Sequence, residues 1–165
     1  MSGCRVFFSF HYEQDVWRAT NVRNAGKVDA VAAAGWEDAS LWEEAKRKGP
    51  REIERLIDAG LKGTSVTAVL IGSETASRPW VIYEIEQSIK RGNGLLRVRV
   101  HSIKDQNHQG SRRGKVPTAH NDGGYRVYDW NRSSFGRWVE FAAIDAGKPC
   151  RKHERKQCFM CRWLW

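Results

Sequence analysis

No run of apolar residues in this chain approaches the ~20 needed to cross a bilayer as a helix, which excludes a helical membrane span. The opening MSGCRVFFSF lacks the basic, apolar, small-residue order of a secretory signal, because its apolar stretch runs straight into HYEQD. A soluble, cytoplasmic protein without a membrane partner is therefore expected. Cysteine is scarce: of Cys4, Cys150, Cys158 and Cys161, three crowd the end of the chain, so stable disulfides are not expected of a cytoplasmic protein. There is no G-x-G-x-x-G after the first apolar segment and no G-x-x-x-x-G-K-[ST] anywhere, which removes support for a dehydrogenase or a P-loop nucleotidase. Internal repeats and low-complexity segments are also absent.

What remains is ordinary for a globular domain. The 165 residues are 41% hydrophobic and 28% charged, and a chain of this length buries roughly two-thirds of its unfolded surface as a single domain. Twenty-eight Lys and Arg against 19 Asp and Glu leave a charge of +9, which favours anionic partners. The surplus runs from Arg97 onward, in RVR, SRRGK and CRKHERK, whereas residues 1 to 90 are close to balanced. Such a distribution describes a basic flank and a solvated tail better than a dedicated basic groove.

Hydrophobic patterning predicts an alternation of strands and helices. CRVFFSF (residues 4 to 10) reads as a first strand, and DVWRATNVRNAG as a helix ended by Gly26. KVDAVAAAG fits helix or strand, and GWEDASLWEEAKRKG an irregular segment leading into a short helical turn. PREIERLIDAGLKG is an amphipathic helix with Pro50 in its first turn and Ile53, Leu56, Ile57 and Leu61 on one face. SVTAVLIG (65 to 72) suits a central parallel strand covered on both faces. A helix over 77 to 91 follows, then a strand over 95 to 103 whose Arg97 and Arg99 predict a wetter face. A polar loop runs from Lys104 to about Gly124, long enough to be functional or mobile. YRVYDW fits a short strand, and SSFGRWVEFAAIDAG a last helix capped by Ser133 or Ser134. This order predicts an α/β fold, an open parallel sheet with helices on both faces, and such sheets bind ligands at the carboxyl ends of their strands. SFHYEQD and GSETASRPW lie where that rule puts a site.

One acid in the 77 to 91 helix stands out. At roughly 100° per residue, Val81, Ile82, Ile85 and Ile89 form the buried arc, while Tyr83, Glu86, Gln87 and Lys90 face solvent. Glu84 falls roughly 60° beyond the Val81 edge, one turn after Trp80. A carboxylate at that boundary is either partly desolvated, and able to act as base, acceptor or stabiliser of developing positive charge, or an ordinary acid favoured near a helix N-terminus.

FFSFHYEQD, the W-V-x-x-E of Trp80, Val81 and Glu84, GLKGTSVTAVLIGSETASRPWVIYEIEQSIKRGNGLL and the final FGRWVEFAAIDAG resemble the ThsB-like TIR family of bacterial Thoeris anti-phage systems. The resemblance covers about residues 4 to 147 and is densest over about 60 to 107. It implies a TIR domain, a flavodoxin-like parallel sheet, over residues 1 to 149, with 150 to 165 as a basic tail. It also implies an enzyme of the NAD+ nucleosidase and ADP-ribosyl cyclase type, with NAD+ as substrate and no recycled cofactor. The product would be a cyclic ADP-ribose-type signal that activates a separate effector. A phage-derived activator and homo-oligomerisation are compatible expectations, and nucleic acid is a less favoured partner.

By the same resemblance Glu84 is the catalytic acid, and Ser9, Phe10 and His11 line its pocket together with Trp80. Asp38, Ser40 and Trp42, with Trp36, fall in the loop region that shapes the nucleotide site. His11 as a loop-packing side chain, and the 36 to 42 aromatics as anchors of an irregular segment, are the plain structural alternatives. The rival class is a non-catalytic TIR or flavodoxin-like interaction module. A receiver domain would need acids clustered at the strand ends, where only Glu13 and Asp15 follow the first strand. In the tail, Cys150, His153, Cys158 and Cys161 have the ligand types of a tetrahedral zinc site at unusually tight spacing. A basic extension packing Trp163 and Trp165, or binding single-stranded nucleic acid, fits the same residues.

Overall fold

The computed structural model describes residues 2–25, 28–32, 39–105, 107–119 and 124–150. The β-branched and aromatic runs form strands β1 (Ser2–Ser9), β2 (Val28–Ala32), β3 (Val66–Ile71), β4 (Gly94–Arg99) and β5 (Val127–Asp129). Between and after them lie helices α1 (Tyr12–Ala25), α2 (Ala39–Lys48), α3 (Pro50–Leu61), α4 (Pro79–Lys90) and α5 (Phe135–Asp145). All five strands are parallel in one sheet of order β2-β1-β3-β4-β5. The chain leaves β1 toward β2 on one side and reaches β3 on the other, so the carboxyl ends of β1 and β3 frame the switch point where such sheets take ligands.

Alternation along each strand sends side chains to two cores. On one face Val6, Phe8, Ala68, Leu70, Leu96 and Val98 pack under α1 and α5 through Ala19, Val22, Phe135, Val139 and Ala143. On the other, Phe7 meets Ala45, Ile53, Ile57 and Leu61 of α2 and α3. Val69, Ile71 and Leu95 meet Val81 and Ile85 of α4 on that same side. β3 is buried along its whole length, which is why its sequence is continuously apolar and β-branched rather than alternating.

Of the two readings open for KVDAVAAAG the strand is the one found: β2, pinned by parallel pairing to β1. Other expectations change. The short helical turn expected at the end of GWEDASLWEEAKRKG is instead the ten-residue helix α2, held by Ala45 packing on Phe7 and Ile57. Arg97 is not on a wet face: it is buried at 4% exposure, beneath Tyr125, whose ring lies 6.0 Å from its guanidinium. Val116 and Ala119, with Tyr125 just beyond, bring the described part of the long polar loop down onto the α4 side of the sheet, so that part is a cover over the strands.

Cys4 and Cys150, finally, are joined in a disulfide, contrary to the expectation of unpaired cysteines. The reason is tertiary: α5 packs across the sheet and returns the chain to the core cluster that holds Cys4, Ala143 and Cys150 together. Cys150 therefore leaves the candidate zinc set, and its other members, His153, Cys158 and Cys161, lie outside the described residues, as does most of the 150 to 165 tail. No described helix is long and apolar enough to cross a membrane.

Candidate active site

α4 starts at Pro79, whose fixed φ and missing N–H suit the first position of a helix. A 3-10 turn, Thr75–Ser77, bridges β3 to it and directs its N-terminus to the carboxyl ends of β1 and β3. The buried face of α4 is Val81, Glu84, Ile85 and Ser88, with Ile82 only half-buried. The helix is thus rotated from the orientation the apolar arc predicts, and Glu84 sits inside the packed face instead of at its border. Polar pairing explains the rotation. Thr67 Oγ1 of β3 donates to Ser88 Oγ at 2.7 Å, and Ser88 Oγ donates to the Glu84 carbonyl at 2.6 Å, so Ser88 is buried without an unsatisfied hydroxyl.

Glu84 is 6% exposed. Ser9, the last residue of β1, donates its hydroxyl to Glu84 Oε2 at 2.5 Å. Burial pushes the carboxyl from 4.5 up to about 8, with the Ser9 hydrogen bond pulling the other way. No lysine or arginine pairs with Glu84 among the described residues. At neutral pH burial therefore keeps this carboxyl largely in its protonated form.

The carboxyl lines a cleft of about 220 Å³ together with Phe10, His11, Trp42, Arg78 and Trp80. The two residues that link β1 to α1 are Phe10 and His11, α2 delivers Trp42, and the first turns of α4 deliver Trp80. His11 is buried, with Nε2 3.6 Å from Glu13 Oε2 and Nδ1 lacking a hydrogen-bond partner. Phe10 and Trp42 are half-buried and offer flat faces beside the carboxyl. Six of the eight residues expected at the site are thereby brought together: Ser9, Phe10, His11, Trp42, Trp80 and Glu84. Ser40 is exposed on α2 and does not line the cleft; Asp38, like Trp36, lies outside the described residues.

Two cations at the cleft escape sequence reasoning. Lys46 Nζ lies 3.0 Å from Glu43 and 3.3 Å from Glu13, and Arg78 pairs with Glu74 while its Nε stays buried without a partner. The first carries the i, i+3 spacing of an ordinary surface pair, and the second stands before a proline at a helix start. Neither pattern signals a site; only the packing of α2 against β1 and α4 makes them converge. Asp15 does not join any acid cluster: it is 1% exposed and paired with Arg18 at 3.2 Å. Burial pushes its carboxyl up in spite of Arg18.

A parallel sheet of this order, with a buried carboxyl at the β1/β3 switch point, defines an α/β domain of the flavodoxin-like class. Residues 7–105 match the family described as Thoeris protein ThsB, TIR-like domain. A protein of Bacillus cereus (strain MSX-D12) named "Putative cyclic ADP-D-ribose synthase ThsB1" is 41% identical over 149 residues, covering 83% of this chain and 74% of that protein. The chain belongs to the ThsB TIR-like family.

Proposed function

We propose that this protein cleaves the nicotinamide glycosidic bond of NAD+ and closes the ADP-ribose moiety into a cyclic signal, acting in the cytoplasm in defence against phage through a separate effector. The observation that carries the reading is Glu84: a buried carboxyl with no cationic partner among the described residues, bonded to Ser9 and lining an open cleft with aromatic walls. In an interaction module a buried acid would be expected to be neutralised by a lysine or arginine. The relative named a cyclic ADP-D-ribose synthase supports the same chemistry.

Departure of nicotinamide leaves a ribose with oxocarbenium character, and a carboxylate facing that carbon lowers the barrier by charge stabilisation. Glu84 begins mostly protonated near neutral pH because its surroundings disfavour charge. The positively charged pyridinium of the substrate favours ionisation, and Ser9 donates to the carboxylate that results. The proton is released as substrate seats, and the anion is present when positive charge develops on the ribose. Trp42, Phe10 and Trp80 supply flat surfaces for the nicotinamide and the sugar, and His11 Nδ1 has hydrogen-bonding capacity to spare for a ribose hydroxyl or phosphate.

The test is to incubate the purified full chain with NAD+, with and without lysate of phage-infected cells, following nicotinamide and cyclised product. Production in wild type and its loss in Glu84→Gln is the expected result. Absence of both products under both conditions, or an unchanged Glu84→Gln, overturns the reading.

A further inference from the structure

The Glu84 cleft is too small for the whole proposed substrate. Its volume of about 220 Å³ lies below the roughly 300–1,000 Å³ of pockets that enclose drug-sized ligands, so part of a dinucleotide would lie outside it. A second depression of about 470 Å³ is formed in part by the segment between β3 and α4. It is lined by Ser73, Glu74 and Ser77 on one wall and by Arg112, Arg113 and Lys115 on the other. The two share a boundary, because Arg78 of the cleft is ion-paired to Glu74 of the depression.

The charge of this groove is unbalanced. Arg112, Arg113 and Lys115 are all exposed. Arg113 reaches Asp129 at 3.8 Å, while Arg112 and Lys115 make no ion pair among the described residues, and Glu74 is engaged by Arg78. These cations are carried on a fixed support. Gly114 lies so close to the Gly72 carbonyl at the end of β3 that a Cβ there would overlap backbone, and Ser111 N–H donates to the His101 carbonyl at 2.9 Å. Only glycine permits that approach, which seats the flanking arginine and lysine side chains opposite Ser73 and Ser77. Arg78 stands between cleft and groove, lining the first and paired to Glu74 of the second, so a phosphate passing from one to the other would meet its guanidinium.

We propose that the groove of Ser73, Ser77, Arg112, Arg113 and Lys115 is the subsite for the adenosine diphosphate half of the dinucleotide, whose diphosphate crosses the Arg78–Glu74 pair. The inference rests on the reading of Glu84 as the acid that faces the ribose of NAD+, since it places the two halves of one molecule on either side of Arg78. It gives the SRRGK segment a binding role that its composition alone did not suggest.

ADP and nicotinamide mononucleotide are the probes, titrated calorimetrically into the full chain. Arg112→Ala combined with Lys115→Ala should weaken ADP binding about tenfold or more and leave nicotinamide mononucleotide unchanged. Lys62→Ala with Lys90→Ala, which removes the same charge where the helices enter the amino ends of β3 and β4, should change neither. In the wild type NAD+ and ADP should compete. Absence of ADP binding by the wild-type chain, or equal ADP affinity in the groove variant, overturns the subsite. ADP binding that NAD+ does not displace marks a separate free nucleotide and overturns the spanning arrangement. If Glu84→Gln leaves NAD+ cleavage intact while the groove variant still loses ADP, the catalytic role of Glu84 fails and the phosphate site stands, so the two failures are told apart.

Discussion

Replacing Glu84 by Gln should make the protein more stable in alkaline solution, and the size of the effect follows from the carboxyl's surroundings. In the folded chain Glu84 titrates at about 8, against an ordinary value of 4.5. Between those pH values the folded state keeps a proton that the unfolded state has released, so stability falls as pH rises through that window and levels off above about 8. At ~1.4 kcal/mol per pH unit, the full effect is roughly 5 kcal/mol. A glutamine of the same shape still accepts from Ser9 but never ionises. Wild type and Glu84→Gln should therefore match within about 1 kcal/mol near pH 4.5 and diverge by several kcal/mol at pH 9, a Tm difference on the order of 10 °C for a domain of this size. Other titrating groups are common to both proteins and cancel in the comparison. Thermal or urea denaturation followed by tryptophan fluorescence at pH 4.5, 7 and 9 measures it. A variant no more stable than wild type at pH 9, or a difference that does not change with pH, would refute the desolvation argument.

Ser9→Ala removes the hydrogen bond that favours the Glu84 anion, so the carboxyl should titrate above its wild-type value of about 8; carbon-13 NMR of labelled glutamate carboxyls reads this, and an unchanged or lowered midpoint would discard the role assigned to Ser9. Gly94→Ala places a Cβ into the Ala142 backbone carbonyl, and because backbone cannot swing aside α5 must lift from β4. A loss of about 1–3 kcal/mol is expected from denaturant unfolding, and a neutral result would show that α5 does not pack as described.

The architecture was largely legible because its signals are local. SVTAVLIG declares a doubly covered strand, and PREIERLIDAGLKG declares an amphipathic helix, each through periodicity over a few residues. Glu84 stood out for the same reason, as an acid close to an apolar arc. Its true depth did not, since the helical wheel weighs apolar residues only, and the rotation of α4 is fixed by Thr67 meeting Ser88 from 21 residues away. α2 was missed in part because WEEAKRK offers few apolar positions. Its stability as a helix depends on Ala45 fitting against Phe7 and Ile57, a contact that no window of the sequence contains.

By itself, then, the sequence determined the alternation of strands and helices, the parallel sheet that such alternation requires, and the acid at the end of the W-V-x-x-E stretch. The tertiary structure decided how deep that acid lies, which cations stand near it, and what Cys4 and Arg97 contact. Lys46 reaches the cleft through α2, Arg78 through the start of α4, and Cys150 meets Cys4 across 146 residues of chain. The physical reason is range. Backbone propensity and hydrophobic period act between near neighbours in the chain, whereas burial, desolvation and charge pairing depend on which distant segments the closed fold sets side by side.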